Sequence, residues 1–248
     1  MPNQEVNKFV ILAMPRTGST LLTSTLNTHA DIRCHGEIFR VNIKKIQGPV
    51  KVLNQVESKF LDDTYRRDNP FEFLEHVFSL EERVSAIGFK LMLFQHRIVM
   101  RKIIQEQEDF KIILLRRDNV LSVYSSDKIA KATGQSIAGK KSVVKTAQVE
   151  FDVESFEAFW QDYEHEYHET KQLLESVNRE YLEIEYNDLR SHQGFKKVLE
   201  FVNVSPEKRM NTFSQKRNSD LITERFSNPE IVSDYLQSKG LEKWLTEE

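Results

Sequence analysis

The stretch Phe9-Val-Ile-Leu-Ala-Met14, closed by Pro15 and continued by Arg16-Thr-Gly-Ser-Thr20, decides how the rest of the chain is read. Its apolar run is short, continuous and partly β-branched. That matches a strand buried on both faces, the kind a parallel sheet requires. Leu21, Leu22 and Leu26 then fall at helical spacing. The segment therefore predicts a strand, a tight polar turn and a helix. Such a turn aims several backbone N–H groups and the positive end of a helix dipole at one spot, which suits an anion. Gly18 permits close backbone approach. Ser19 and Thr20 add hydroxyl donors, and Arg16 adds a planar cationic fork. Together they make a phosphate cradle, with a plain helix cap as the alternative reading. The Walker A pattern is absent, since no lysine precedes the Ser-Thr pair.

Outward from this segment the alternation recurs. Ala86-Ile-Gly-Phe-Lys-Leu-Met-Leu93 reads as a second buried strand, with a helix over 97–107 behind it. Phe110-Lys-Ile-Ile-Leu-Leu115 reads as a third, followed by Arg116-Arg-Asp-Asn119 and a helix from about residue 120. A long helix is predicted over 155–177, with Phe156, Phe159, Trp160, Tyr163, Tyr167 and Leu174 as its apolar stripe. Tyr181-Leu-Glu-Ile-Glu-Tyr186 alternates as a strand with one more exposed face. A helix over 193–202 follows. The last helix is punctuated by Asn228 as N-cap, Pro229 at its first position and Gly240 past its end. Strands alternating with helices place the chain in the α/β class, with a parallel sheet and right-handed crossovers. Ligands on such sheets sit beyond the carboxyl ends of the strands. The turns at 16–20, 90–96 and 116–119 then share one rim. Residues 36–85 and 128–150 read as irregular insertions near it.

Composition narrows the function. The chain has 248 residues, 39% apolar and 29% charged, as expected of a folded soluble domain. Lys plus Arg number 35 against 38 Asp plus Glu, a net charge of −3 that argues against nucleic acid or an anionic membrane as partner. No apolar run approaches the roughly 18 residues needed to span a bilayer, and no secretory leader is read at the N-terminus. Cys34 is the single cysteine, which excludes an intrachain disulfide and a cysteine zinc cluster and fits a reducing, cytoplasmic setting.

A second segment carries chemistry. Arg117 stands at a strand end, and Ser125 lies eight residues on, about two turns into the next helix. Together they would grip a second phosphate; the alternative is a surface arginine and a helix-face serine.

These two segments resemble the sulfotransferases that use 3′-phosphoadenosine 5′-phosphosulfate (PAPS). The likeness is greatest to the bacterial trehalose-type and nodulation-type carbohydrate sulfotransferases. Ile11-Leu-Ala-Met-Pro-Arg-Thr-Gly-Ser-Thr20, His35-Gly-Glu-Ile-Phe39, Gly88-Phe-Lys-Leu-Met92, Arg116-Arg-Asp118 and Tyr186-Asn-Asp-Leu189 carry it, over roughly residues 8–203. The resemblance implies a single sulfotransferase domain with a P-loop-NTPase-like central parallel sheet flanked by helices. Residues 204–248 would form a tail and last helix. It implies that Pro15, Arg16, Thr17, Gly18, Ser19 and Thr20, with Leu21 behind them, hold the 5′-phosphosulfate, and that Arg117 and Ser125 hold the 3′-phosphate. It makes Glu37 the base. His35 competes with it on physical grounds, because an imidazole titrates nearer neutrality. Lys90 is either an electrostatic helper or a snorkelling strand-end lysine. Met92 stands where cytosolic members of the wider family carry a histidine base, which supports a carboxylate base. The basic pair Lys216 and Arg217 would close the nucleotide site.

Other features carry less. Lys140, Lys141 and Lys145 form either a lid or a solvated loop. His165 and His168 lack the zincin spacing, so no metal site is expected. The expected reaction is sulfuryl transfer from PAPS to an acceptor hydroxyl, on a carbohydrate or glycolipid, with no divalent metal and with a homodimer plausible for such an enzyme. An ATP-dependent kinase and a non-catalytic phosphate-binding module are the alternatives.

Overall fold

A strand with no wet face needs cover on both sides. The computed structural model shows that arrangement and describes residues 6–41, 56–81, 83–135, 143–191, 193–206 and 218–247. The strand is β1 (Asn7–Ala13). With β2 (Ile32–His35), β3 (Ala86–Met92), β4 (Phe110–Arg116) and β5 (Tyr181–Glu185) it forms a parallel sheet of order β2-β3-β1-β4-β5. β1 lies in the middle, with Ile11 opposite Lys90 of β3 and Ile113 of β4.

Alternate residues of β1 enter two cores. Phe9, Ile11 and Ala13 join Leu22 and Leu26 of α1 (Ser19–Leu26), and Phe195 and Val198 of α8 (Gln193–Phe201). Val10 and Leu12 join the other core. Its α-helical residues come from α3 (Pro70–Ser79), α4 (Arg97–Glu106), α5 (Val120–Thr133), α6 (Val153–Ser176) and α9 (Pro229–Lys239). Phe9 to Leu12 are at most 1% exposed. Each such side chain contributes roughly 1.5–3 kcal/mol of burial free energy.

The structure departs from the sequence reading at identifiable places. β2 is an edge strand of four residues, too short for a pattern, and Arg33 interrupts it. The stretch 36–85 contains α2 (Asp63–Asp68) and α3. The signal for α3 was present, in Pro70 at its start and in Phe73, Leu74 and Val77 at helical spacing. α5 continues through 128–133 before Gly134 ends it in the left-handed conformation. Tyr186 does not end β5 but begins α7 (Tyr186–Arg190), because the Glu185 carboxylate accepts the Asn187 N–H as an N-cap. α6 starts at Val153 because Asp152 accepts the Ser155 N–H at 2.8 Å. Asn228 does precede α9, but its side chain caps nothing. It pairs with the backbone of Phe151 instead, accepting its N–H at 2.8 Å and donating to its carbonyl at 2.9 Å.

His35 lies on β2 with no exposed surface, stacked on Phe78 at 6.3 Å, and neither ring nitrogen has a partner among the described residues. A ring so placed does not reach the rim, which corrects the expectation that it competes with Glu37. Burial, with Arg33 nearby, pushes its pKa down to about 4. The unfolded ring takes a proton near pH 6.5, so its contribution to stability is present above that pH and is lost as pH falls toward 4. The melting temperature should therefore drop across that window, and more shallowly in His35→Phe. Parallel melting curves for the two proteins would show that another group is responsible.

Candidate functional site

The loop 15–20 leaves β1 at the rim. Arg16 is held at φ +67°, unusual for a residue with a side chain. Three contacts keep it there or nearby. The Thr17 hydroxyl, fully buried, donates to the Met14 carbonyl at 2.8 Å. The Arg16 carbonyl accepts from Nη1 of Arg117 at 2.9 Å. Nε of Arg16 donates to the Ser126 hydroxyl at 3.0 Å. Gly18, at φ +89°, is the N-cap of α1, and no side chain caps that helix and no acid stands in its first turn. Its first-turn amides and dipole therefore favour an anion at the loop. A Cβ on Gly18 would lie 2.5 Å from the Tyr186 ring. The same ring lies under Arg117, with the guanidinium carbon 4.1 Å from its centroid. Pro15 and Leu21 are half-buried beside the loop, and Ser19 is buried.

At one end of the loop sits Glu37. Its Oε1 is 3.2 Å from Lys90 Nζ, and its Oε2 accepts from Gln95 Nε2 at 2.8 Å. Gln95 is oriented in turn by the Met92 N–H, which donates to its amide oxygen at 3.2 Å. Lys90 also donates to the Thr20 hydroxyl at 3.3 Å. The lysine does not snorkel: it is buried and bridges the carboxylate and the loop. Gly36 was expected to bring Glu37 close by its freedom, but its backbone is ordinary and a Cβ there would meet nothing. The placement comes instead from Lys90 N–H donating to the Gly36 carbonyl at 3.3 Å.

At the other end Arg117, Ser122, Ser125 and Arg225 converge. Arg225 Nη1 donates to the Ser122 hydroxyl at 2.9 Å and to the Ser125 hydroxyl at 3.1 Å. The carboxylate of Glu247 lies among them, accepting from Arg117, Ser122 and Arg225. Burial alone would raise its pKa, but the two arginines outweigh it and hold the carboxyl at about 2. Burial pulls the Arg225 pKa down. Two tyrosines of α6 anchor the strand ends beneath. Tyr167 accepts the Met14 N–H at 3.1 Å and donates to the Leu115 carbonyl at 2.6 Å. Tyr163 accepts the Arg117 N–H at 3.1 Å and donates to its carbonyl at 3.0 Å.

The structure thus gathers Arg16, Thr17, Gly18, Ser19, Thr20, Glu37 and Lys90 with Arg117 and Ser125 along one rim. Thr17 spends its hydroxyl on the turn. Lys216, Arg217, Lys140 and Lys141 lie outside the described residues, and Lys145, His165 and His168 are exposed. Arg225, Ser122, Gln95 and Glu247 were missed. Arg225 and Glu247 stand about 100 residues or more from the segment they meet, whereas Gln95, five residues beyond Lys90, and Ser122, between Arg117 and Ser125, lay within reach of a local pattern. Chemically, the rim offers a carboxylate able to accept a proton, a lysine beside it, an amide cradle and a pocket of two arginines and two hydroxyls suited to a phosphoryl group.

Known proteins resemble this chain in sequence and fold. The model of the sulfotransferase family matches residues 8–205. Nodulation protein H of Rhizobium tropici is 27% identical over 187 residues, 73% of this chain and 68% of that protein. Among solved structures, a sulfotransferase from Alicyclobacillus acidocaldarius aligns with a TM-score of 0.50 at 16% identity, over 97% of this chain and 98% of that one. A sulfotransferase domain from the curacin biosynthetic pathway aligns with a TM-score of 0.50 at 13% identity, over 95% and 99%. The two structures share the fold.

Gly18→Ala should cost on the order of 1–3 kcal/mol, from the left-handed backbone alone and more from the ring contact. Thermal melting checks this. An alanine variant as stable as the parent would mean that Tyr186 gives way freely and does not support the loop.

Proposed function

The chain belongs to the sulfotransferase family, and from that premise we propose that it moves a sulfuryl group from PAPS to a hydroxyl of a carbohydrate-bearing acceptor. The observation that carries this reading is the pairing of Glu37 with Lys90, which in turn donates to Thr20 of the loop. A proton acceptor and an anion cradle joined through one lysine is the arrangement that group transfer to a hydroxyl requires.

The residues fit the donor. The loop 15–20 and the first turn of α1 would hold its 5′-phosphosulfate, and Arg117, Ser125 and Arg225 its 3′-phosphate. The donor supplies an electrophilic sulfur with a good leaving group. Glu37 takes the acceptor proton as the acceptor oxygen bonds to sulfur. The bond from sulfur to the bridging oxygen breaks, and 3′-phosphoadenosine 5′-phosphate (PAP) departs with the electron pair. Arg16, Lys90 and the loop amides neutralise charge as it builds on that bridging oxygen; such preorganised donors are worth about 3–4 kcal/mol each. Gln95 holds the second carboxylate oxygen, so the one facing the acceptor keeps its aim. Arginine, lysine and amides do this without a divalent ion. The carbohydrate acceptor rests on the resemblance to carbohydrate sulfotransferases. The single cysteine, Cys34, supports a reducing, cytoplasmic setting for the reaction. Among the described residues no helix is long and apolar enough to cross a membrane.

PAP at roughly 100 times its Kd should add about 2.7 kcal/mol of stability, a rise of several degrees in Tm that ADP and ATP–Mg²⁺ do not match. A rise with ATP–Mg²⁺ alone would turn the reading toward a kinase. Glu37→Gln should abolish turnover while PAP binds as before; near-full activity in that variant would remove Glu37 as the base.

A further inference from the structure

The pocket at the Arg117 end of the loop is filled by the chain itself. We propose, resting on the reading above, that Glu247 is an intramolecular competitor for the 3′-phosphate: its carboxylate occupies the subsite formed by Arg117, Ser122, Ser125 and Arg225, and the nucleotide must turn it out to bind.

The geometry is that of a ligand in a site. One carboxylate oxygen accepts from Ser122 and Arg225, the other from Arg117. The Glu247 side chain is 2% exposed, and Arg117, Ser122, Ser125 and Arg225 are all buried. Two guanidinium groups face this one carboxylate, with the Glu185 carboxylate as a further electrostatic neighbour of Arg117. A phosphomonoester brings a charge of about −1.5 to −2 and three acceptor oxygens. It therefore matches the pocket better than the group now in it. One donor already waits for a third oxygen: Nε of Arg117 is buried and has no partner among the described residues. The pocket is also placed for the donor, because Arg117 holds the carbonyl of Arg16 in the 5′-phosphosulfate loop.

The exchange needs only a side-chain rotation. The backbone around Glu247 is tied down independently of the carboxylate. Asn119 donates to the Thr246 carbonyl at 2.8 Å, Arg190 donates to the Glu247 carbonyl at 2.8 Å, and the Glu247 N–H donates to the Asp220 carbonyl at 3.1 Å. The apparent affinity for a 3′-phosphorylated nucleotide is lowered by the fraction of molecules whose pocket is filled. A nucleotide without a 3′-phosphate leaves Glu247 in place and gains nothing from its removal. Glu247 thus keeps the two arginines neutralised in the empty enzyme and reserves them for the correct donor.

Calorimetric titration of the parent chain, Glu247→Gln and Glu247→Ala with PAP and with ADP tests this. The expected result is PAP binding tightened about tenfold in both variants, with ADP unchanged. PAP binding that is unchanged or weaker in both variants overturns the proposal and leaves Glu247 as a structural ion pair. The unmodified chain gives a second reading that does not depend on a variant folding. Carbodiimide labelling of carboxyl groups, read by peptide mass spectrometry, should spare Glu247 without PAP and modify it with PAP; equal protection in both states counts against displacement. Inorganic phosphate separates this idea from the donor assignment. If PAP binds none of the three proteins, phosphate binding to Glu247→Ala but not to the parent sustains the competing carboxylate and removes the donor, whereas phosphate binding to neither removes both.

Discussion

The middle strand has no wet face, and the rest of the site follows from that constraint. Phe9, Ile11 and Ala13 are committed to one core and Val10 and Leu12 to the other. No polar side chain can enter there without an unpaired buried group, which costs more than a hydrogen bond returns. Everything polar that this strand positions must therefore lie beyond its last residue. Arg117 stands just past β4, and Lys90, inside β3 and opposite Ile11, extends its side chain to the Thr20 hydroxyl, so both reach the loop 15–20.

What makes the rim rigid is a small set of hydrogen bonds whose donors and acceptors come from distant parts of the chain. The hydroxyls of Tyr163 and Tyr167, one helical turn apart on α6, each serve as donor and acceptor to the backbone at a strand end. They are buried, and burial pushes their pKa values up, Tyr163 to about 12, so both stay neutral and keep the proton they donate. Above them the left-handed Arg16 is held by a carbonyl bond to Arg117 and by Thr17 folding back on Met14. Backbone strain of this kind persists only where the surroundings over-determine it. The result is a loop set before any ligand arrives, which lowers the ordering cost of binding.

Charge is arranged in two separate clusters. At the Glu37 end a lysine and an amide divide the two carboxylate oxygens. The carboxylate stays partly exposed. At the Arg117 end two buried arginines share one buried carboxylate. Removing a single partner there would leave an uncompensated buried charge, which costs several kcal/mol.

Much of this was legible in order along the chain. The β1 run, the Arg16-Thr-Gly-Ser-Thr turn, the strands at 86 and 110, and the stripe of α6 follow from local periodicity, which burial on a sheet or against a helix face imposes on neighbouring residues. Glu37 and Lys90 could be named because each stands beside a legible strand or turn. β2 escaped because four residues hold too little pattern. The start of α7 escaped because a carboxylate cap at Glu185 overrides the alternation of β5. The sequence by itself determined the strands β1, β3, β4 and β5, the helices that follow them and where the polar turns fall between them, because those depend on near neighbours. Only the tertiary structure decided that Arg225 and Glu247 meet Ser122, that His35 is sealed beneath Phe78, and that Gln95 aims Glu37. Those contacts join residues whose spacing along the chain is arbitrary, and packing alone brings them within hydrogen-bonding distance.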